Sequence, residues 1–116
     1  MSLKVTTDKL RPDAYVIIPV GSIDSETYGN LQEPVRRILD LSPKVIVIDM
    51  QGVEFISSMG VRVIVNTRKE LEAKGGYLLL TNFQPQIKKI FEIMKIMPLA
   101  NIFNTMEDVE NFLYSL

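Results

Sequence analysis

Two adjacent serines, Ser57 and Ser58, are the residues of this chain best placed to do chemistry. An apolar strand pattern, Val45-Ile46-Val47-Ile48, ends at Asp49, and a short connection leads from it to the serines. A helical pattern starts directly after them. Both serines therefore fall where the first backbone N–H groups of a helix lack an intrahelical partner. Such a terminus carries partial positive charge and accommodates a phosphate. Two chemistries fit this placement. A serine hydroxyl can cap the helix by accepting from a free N–H. Alternatively, it can be esterified by an outside kinase, which adds about −1.5 to −2 charges at one point.

Catalysis fits less well. A nucleophilic serine needs a base within hydrogen-bond reach and a group to orient that base. The chain has no His, so the base would have to be Asp24, Asp49 or a lysine, and no Gly-x-Ser-x-Gly elbow surrounds Ser58. No Gly-rich loop ending in Lys-Ser/Thr is present for nucleotide hydrolysis. Asp49 at a strand end has the position of a receiver-domain phosphoacceptor, but that site needs an acidic pair after an earlier strand. Pro19-Val20-Gly21 supplies none. The expectation is a binding module rather than an enzyme, with no cofactor and no metal.

Composition narrows the class further. A chain of 116 residues with 47% hydrophobic and 23% charged residues fits one soluble domain, residues 1–116, with a substantial core. A net charge of −1 argues against a nucleic-acid surface. The chain has no Cys, which excludes disulfide and thiolate chemistry, and the absent His removes the commonest metal ligand. No apolar run approaches the ~20 residues that span a bilayer, and the N-terminus lacks a signal-like apolar stretch. The expectation is a cytoplasmic protein without membrane insertion.

The elements that position the serines can be read in order. Leu3 to Leu10 alternates weakly, as a half-exposed edge strand does, and Arg11-Pro12-Asp13 is turn chemistry. Ala14 to Val20 reads as a more buried strand. Pro19 within it cannot donate to a ladder, so its N–H side should face an edge or a bulge. Gly21-Ser22-Ile23-Asp24 closes that strand, with Asp24 suited to capping a turn or helix. Tyr28, Leu31, Val35, Ile38 and Leu39 give a first helix its inward stripe. Pro34 in its middle implies a kink or a late start, and Ser42-Pro43 stops it. Lys44 to Met50 is the pattern of a parallel strand buried on both faces. In the second helix Val61, Ile64, Val65 and Leu71 share one side, while Met59, Arg62 and Asn66 point elsewhere. Met59 with Arg62 is either ordinary surface or a small partner-binding patch.

Lys74-Gly75-Gly76 ends that helix with a glycine cap, and Tyr77 to Leu80 is the next strand. Pro85 opens a third helix with a core stripe of Ile87, Ile90, Phe91 and Met94, and with Lys88, Lys89, Glu92 and Lys95 outside. Ile102-Phe103 is a last short strand. Thr105 to Asp108 has the form of a capping box before a final helix whose apolar face is Val109, Phe112, Leu113 and Leu116. Strands alternating with helices give an α/β architecture: a mixed, mostly parallel sheet with an antiparallel N-terminal edge strand and about four helices.

The run from Asp49 to Val61, Asp-Met-Gln-Gly-Val-Glu-Phe-Ile-Ser-Ser-Met-Gly-Val, resembles the switch region of the STAS domain family, the bacterial anti-sigma-factor antagonists. Members typically carry Asp-Leu-x-x-Val-x-Phe-hydrophobic-Asp-Ser-x-Gly-Leu there. The chain departs from that pattern at Ser57, where the best-studied members have Asp, and at Gln84, where the family often has a serine cap. Gly21-Ser22-Ile23-Asp24 resembles the Gly-x-Ile/Leu-Asp of the same family. The likeness covers roughly Val5 to Leu116 and is sharpest from Asp49 to Gly60.

The resemblance implies that Ser58 is the phosphoacceptor, with Ser57 the second candidate, and that Asp24, Ser57, Met59, Gly60 and Arg62 surround it on a partner-binding surface. It implies an anti-sigma factor that is also a GHKL-type serine kinase as partner, a phosphoserine phosphatase as a further one, and transcription regulation as the outcome. The alternative it leaves is a STAS subunit of a stress-signalling or lipid-transport assembly in which the serine is not used as a switch.

Overall fold

The structure, a computed structural model, describes residues 2–94 and 101–116. The expectation that Lys95 lies on the outer face of the third helix falls outside them. Ten elements follow in the order β1 (Leu3–Arg11), β2 (Ala14–Ile23), α1 (Tyr28–Leu39), β3 (Val45–Asp49), β4 (Val53–Ile56), α2 (Ser58–Ala73), β5 (Tyr77–Thr81), α3 (Pro85–Ile93), β6 (Asn101–Phe103) and α4 (Met106–Ser115). The sheet order is β1-β2-β3-β5-β6, with β4 also paired to β2. Every pairing is parallel except β1 with β2, so the antiparallel edge strand sits where the sequence reading put it.

At the centre lies β3. Val45, Ile46, Val47 and Ile48 are each at most 1% exposed, because helices cover both faces of the strand and β-branched residues pack well on a pleated surface. The alternation divides the core. Ile46 and Ile48 join Leu31, Val35, Val61, Ile64 and Phe91 of α1, α2 and α3 on one face. Val45 and Val47 meet Val109 and Leu113 of α4 on the other.

Several details differ from the sequence reading. β2 does not close at Val20 but runs on to Ile23, and the connection before the serines is itself a strand, β4. β2 pairs β3 from Ala14 to Ile17 and β4 from Gly21 to Ile23. Since the Gly21 N–H donates to the Gly52 carbonyl on the β4 side, Pro19, two residues earlier, faces the same way and falls between the two partners. Its missing N–H thus meets a break in the ladder, which is the physical content of the edge-or-bulge expectation.

α1 starts at Tyr28 and continues through the buried Pro34, so the late start is wrong: burial of the ring offsets the bond that it removes. In α2, Val63 and Thr67 are buried and Val65 only partly so. Met94 and Leu116 are not core. Each ends its helix, and they are 43% and 57% exposed. α2 stops as expected. Gly75 takes φ +78°, its N–H bonds the Glu72 carbonyl, and the Gly76 N–H bonds that of Leu71. Arg36 of α1 forks onto the Glu70 carboxylate of α2 and also meets Asp40, tying the two helices together across a groove of about 600 Å³. The pair is solvent-exposed, so it orients the helices more than it stabilises them.

Two substitutions test this packing. Phe91 is 2% exposed and its ring centroid lies 5.1 Å from that of Phe83. Phe91→Ala should cost ~3–5 kcal/mol in urea denaturation, and a loss under about 1 kcal/mol would mean that α3 is wrongly seated. Gly60 tests a sign. Helix propensity alone makes Gly→Ala favourable by ~1 kcal/mol. A Cβ here would sit 2.6 Å from Ile23 Cγ2 and 2.7 Å from Ile56 Cγ1, atoms close to the backbone that cannot swing away. Overpacking costs ~1–3 kcal/mol. Gly60→Ala should therefore lower the unfolding midpoint; a higher midpoint would show that α2 does not press on these two strands.

Candidate functional site

Three segments meet at the end of the sheet where β2 and β4 run out. Ile23 pairs with Ile56, and the N–H of Ser57 donates to the Ile23 carbonyl at 2.8 Å, so the residues after each strand are held side by side. Asp24 follows Ile23, and Ser57-Ser58 follows Ile56. The structure thus brings Asp24 and the serine loop to one corner, as the resemblance implied.

The two serines divide the work between them. Ser57 is the helix N-cap: its backbone is extended, its Oγ accepts from the Gly60 N–H at 3.4 Å, and its carbonyl accepts from the Val61 N–H. The 3.4 Å separation makes this a weak cap. Ser58 is the first residue of α2. It is exposed, and among the described residues its hydroxyl has no hydrogen-bond partner. No side chain is in place to take its proton, which is unlike the geometry of an activated nucleophile. The free hydroxyl sits over the positive end of a 16-residue helix.

Around them, Met59 is partly buried and Arg62 and Asn66 are exposed. Arg62 stands one helical turn from Ser58, at i+4, within reach of anything attached to that hydroxyl. Gly60 is buried against Ile23 and Ile56, so its role is to let α2 approach the strands.

Asp24 organises its own turn. Its Oδ1 accepts from the N–H groups of Glu26 (2.9 Å) and Thr27 (3.0 Å). The Thr27 hydroxyl accepts from the Asp24 N–H at 2.9 Å and has one proton to give. The Ser22 carbonyl at 2.7 Å is a closer acceptor for it than the Asp24 carboxylate at 3.1 Å. The Glu26 N–H, and after it the Thr27 N–H, hold the Asp24 carboxyl below its ordinary range against a desolvation that opposes them. With the folded value depressed, these bonds are at full strength above the unfolded value and are lost as pH falls through the folded one. Asp24 therefore caps its own turn and also lies beside the serine loop.

Two neighbours were missed by sequence reasoning. Phe55, 42% exposed on β4, is an apolar ring two residues before Ser57. Gln84, a helix cap without a side-chain bond to its own helix, instead donates from Nε2 to the Gln51 carbonyl at 2.6 Å and fastens the turn before β4. The Val-Glu-Phe-Ile run after Gly52 was the available signal for a strand, at four residues too short to stand out. Asp49 is structural: its Oδ1 accepts from the Gln51 N–H and from Asn82 Nδ2. Among the described residues no group of three His, Cys, Asp or Glu side chains could hold a metal ion, and no helix is long and apolar enough to cross a membrane.

Comparison with known proteins agrees with this geometry. Residues 6–109 match the STAS domain. BtrV of Bordetella bronchiseptica, named as a candidate anti-sigma factor antagonist, is 30% identical over 103 residues, covering 85% of this chain and 87% of that protein. The anti-sigma F factor antagonist of Lysinibacillus sphaericus is 32% identical over 87 residues, 74% of each chain. The anti-sigma factor antagonist SpoIIAA in its unphosphorylated form has the same fold, with a TM-score of 0.77 over 97% of this chain and 100% of that one at 19% identity. With that domain matched across nearly its whole length, and with the paired loops of β2 and β4 in place, the chain belongs to the STAS domain family.

Proposed function

We propose that this protein is a phosphorylation-switched anti-sigma-factor antagonist acting in the cytoplasm, a binding module and not a catalyst. Unphosphorylated, it sequesters an anti-sigma factor that is also a GHKL-type serine kinase and so frees a sigma factor. Phosphorylated on Ser58, it lets go, and a phosphoserine phosphatase resets it. The observation that carries this reading is the contrast between the serines: Ser57 is committed to the cap, whereas Ser58 is exposed and unpartnered. The names of the two sequence relatives support an anti-sigma factor as the partner.

The physics of release follows from the geometry. A phosphate on Ser58 is stabilised by the terminus of α2 and by Arg62 one turn on, so the fold survives. A partner packed over Phe55, Met59, Arg62 and the serine loop then meets a strongly hydrated anion whose desolvation costs several kcal/mol. Each 1.4 kcal/mol is about tenfold in affinity.

Ser58→Asp should fold normally and bind the cognate kinase at least about tenfold more weakly, as read by calorimetry. Ser58→Ala should bind like the wild type and resist phosphorylation. Ser57→Ala should lose at most ~1 kcal/mol of stability, given the long cap bond, and still be phosphorylated. Incubation with kinase and ATP followed by tandem mass spectrometry decides the site. Phosphate on Ser57 alone exchanges the two roles. Phosphate on neither, with a kinase active on another substrate, removes the switch.

Asp24→Asn keeps an acceptor oxygen for the Glu26 and Thr27 N–H groups, so its melting temperature should barely move. If Asp24 also takes part in recognition, the same variant changes kinase affinity or phosphorylation rate. Both quantities unchanged would reduce Asp24 to a turn former.

A further inference from the structure

The outer edge of the sheet carries a second feature, independent of the serine site. Among the described residues β1 has a neighbour on one side only, β2. The Ser22 N–H donates to the Ser2 carbonyl, so along β1 the even-numbered residues turn their backbone groups to β2 and Leu3, Val5, Thr7 and Lys9 turn theirs outward. An open edge of this kind is a template for another strand, and proteins usually blunt it. Here the blunting is partial. Asn30 Nδ2 donates to the Leu3 carbonyl at 3.2 Å, and the Lys9 N–H donates to the carboxylate of Asp8 at 2.8 Å. Between these two stops, Val5 and Thr7 keep both the N–H and the C=O open among the described residues.

We propose that this window pairs with the same window of a second copy of the chain, antiparallel about a twofold axis through Thr6. In that register Val5 of each copy faces Thr7 of the other, and the two pairs exchange four hydrogen bonds through the groups left open. The stops select the register. Moving the axis to Val5 would require the Leu3 carbonyl, which Asn30 occupies; moving it to Thr7 would require the Lys9 N–H, which Asp8 occupies. Shifts that match odd to even residues present no outward groups to each other.

Charge agrees with the same choice. With the axis at Thr6, Lys4 of one copy lies opposite Asp8 of the other, twice, in the non-hydrogen-bonded positions where side chains come closest. All four are exposed in the single chain, and Asp8 has a second carboxylate oxygen free of the Lys9 contact. The contact is isologous and closes on itself, giving a dimer with one continuous sheet rather than a fibre. It is small, so the dimer is a weak one that concentration controls.

Sedimentation equilibrium of the full chain over about a hundredfold range of concentration should show monomers giving way to dimers. Amide hydrogen exchange over the same range should slow at Val5 and Thr7 and not at Lys9. Thr7→Pro deletes one outward donor while leaving the bonds to β2 in place, and should abolish the dimer with circular dichroism unchanged. Lys4→Asp places like charges opposite each other and should weaken dimerisation about tenfold or more. Combining it with Asp8→Lys restores opposite charges and should recover most of the loss. A chain that stays monomeric throughout overturns the proposal, and so does a dimer that survives Thr7→Pro or in which the Val5 and Thr7 amides exchange at their monomer rates.

Discussion

Much of this structure hangs on one hydrogen bond and the glycine beside it. The Ser57 N–H reaches the Ile23 carbonyl, and Gly60 lets the first turn of α2 settle between the side chains of Ile23 and Ile56. Together they fix the distance from sheet to helix and bring the ends of two strands level. They also decide which serine is spent on the cap. Were α2 held further out by a side chain at position 60, the register of β2 with β4 and the exposure of Ser58 would both change. The serine corner is thus set by packing and backbone geometry more than by charge.

Charge acts on top of that frame. The helix terminus is positive, Arg62 is exposed one turn along, and the nearby carboxylate of Asp24 is turned into its own loop by backbone N–H groups. A carboxylate so engaged is a weaker repulsive neighbour for an incoming anion than a free one. The ion pair of Arg36 with Glu70 lies in the groove between α1 and α2, lined by residues from Gly29 to Asp40 and from Val63 to Glu70. That concave feature does not include the serines.

Most of the fold was legible in the residues. β3 could be read because four β-branched residues in a row have no other economical place, and α3 because Ile87, Ile90 and Phe91 recur at helical spacing after a proline that only a first turn tolerates. The strand-to-helix junction that carries Ser57 and Ser58 was legible too, since a helical pattern starts directly after them. Where reading failed, long-range pairing was the reason. Val53 to Ile56 is too short to declare itself, and becomes a strand only because Gly21 to Ile23 lies alongside. Met94 and Leu116 obeyed the helical period but fell at the helix ends, where the neighbouring elements no longer cover them. The edge stops at Leu3 and Lys9 depend on side chains meeting a neighbouring backbone and could not be seen in one dimension.

The change of partner at Pro19 has a consequence for how this domain comes apart. Below that proline β2 is locked between β1 and β3; above it, on the side away from β1, it is held only by the short β4. Loosening β4 and the first turn of α2 would break a handful of bonds past Gly21 and leave the β2–β3–β5 ladder whole. Opening confined to the serine corner would thus leave the scaffold of sheet and core in place.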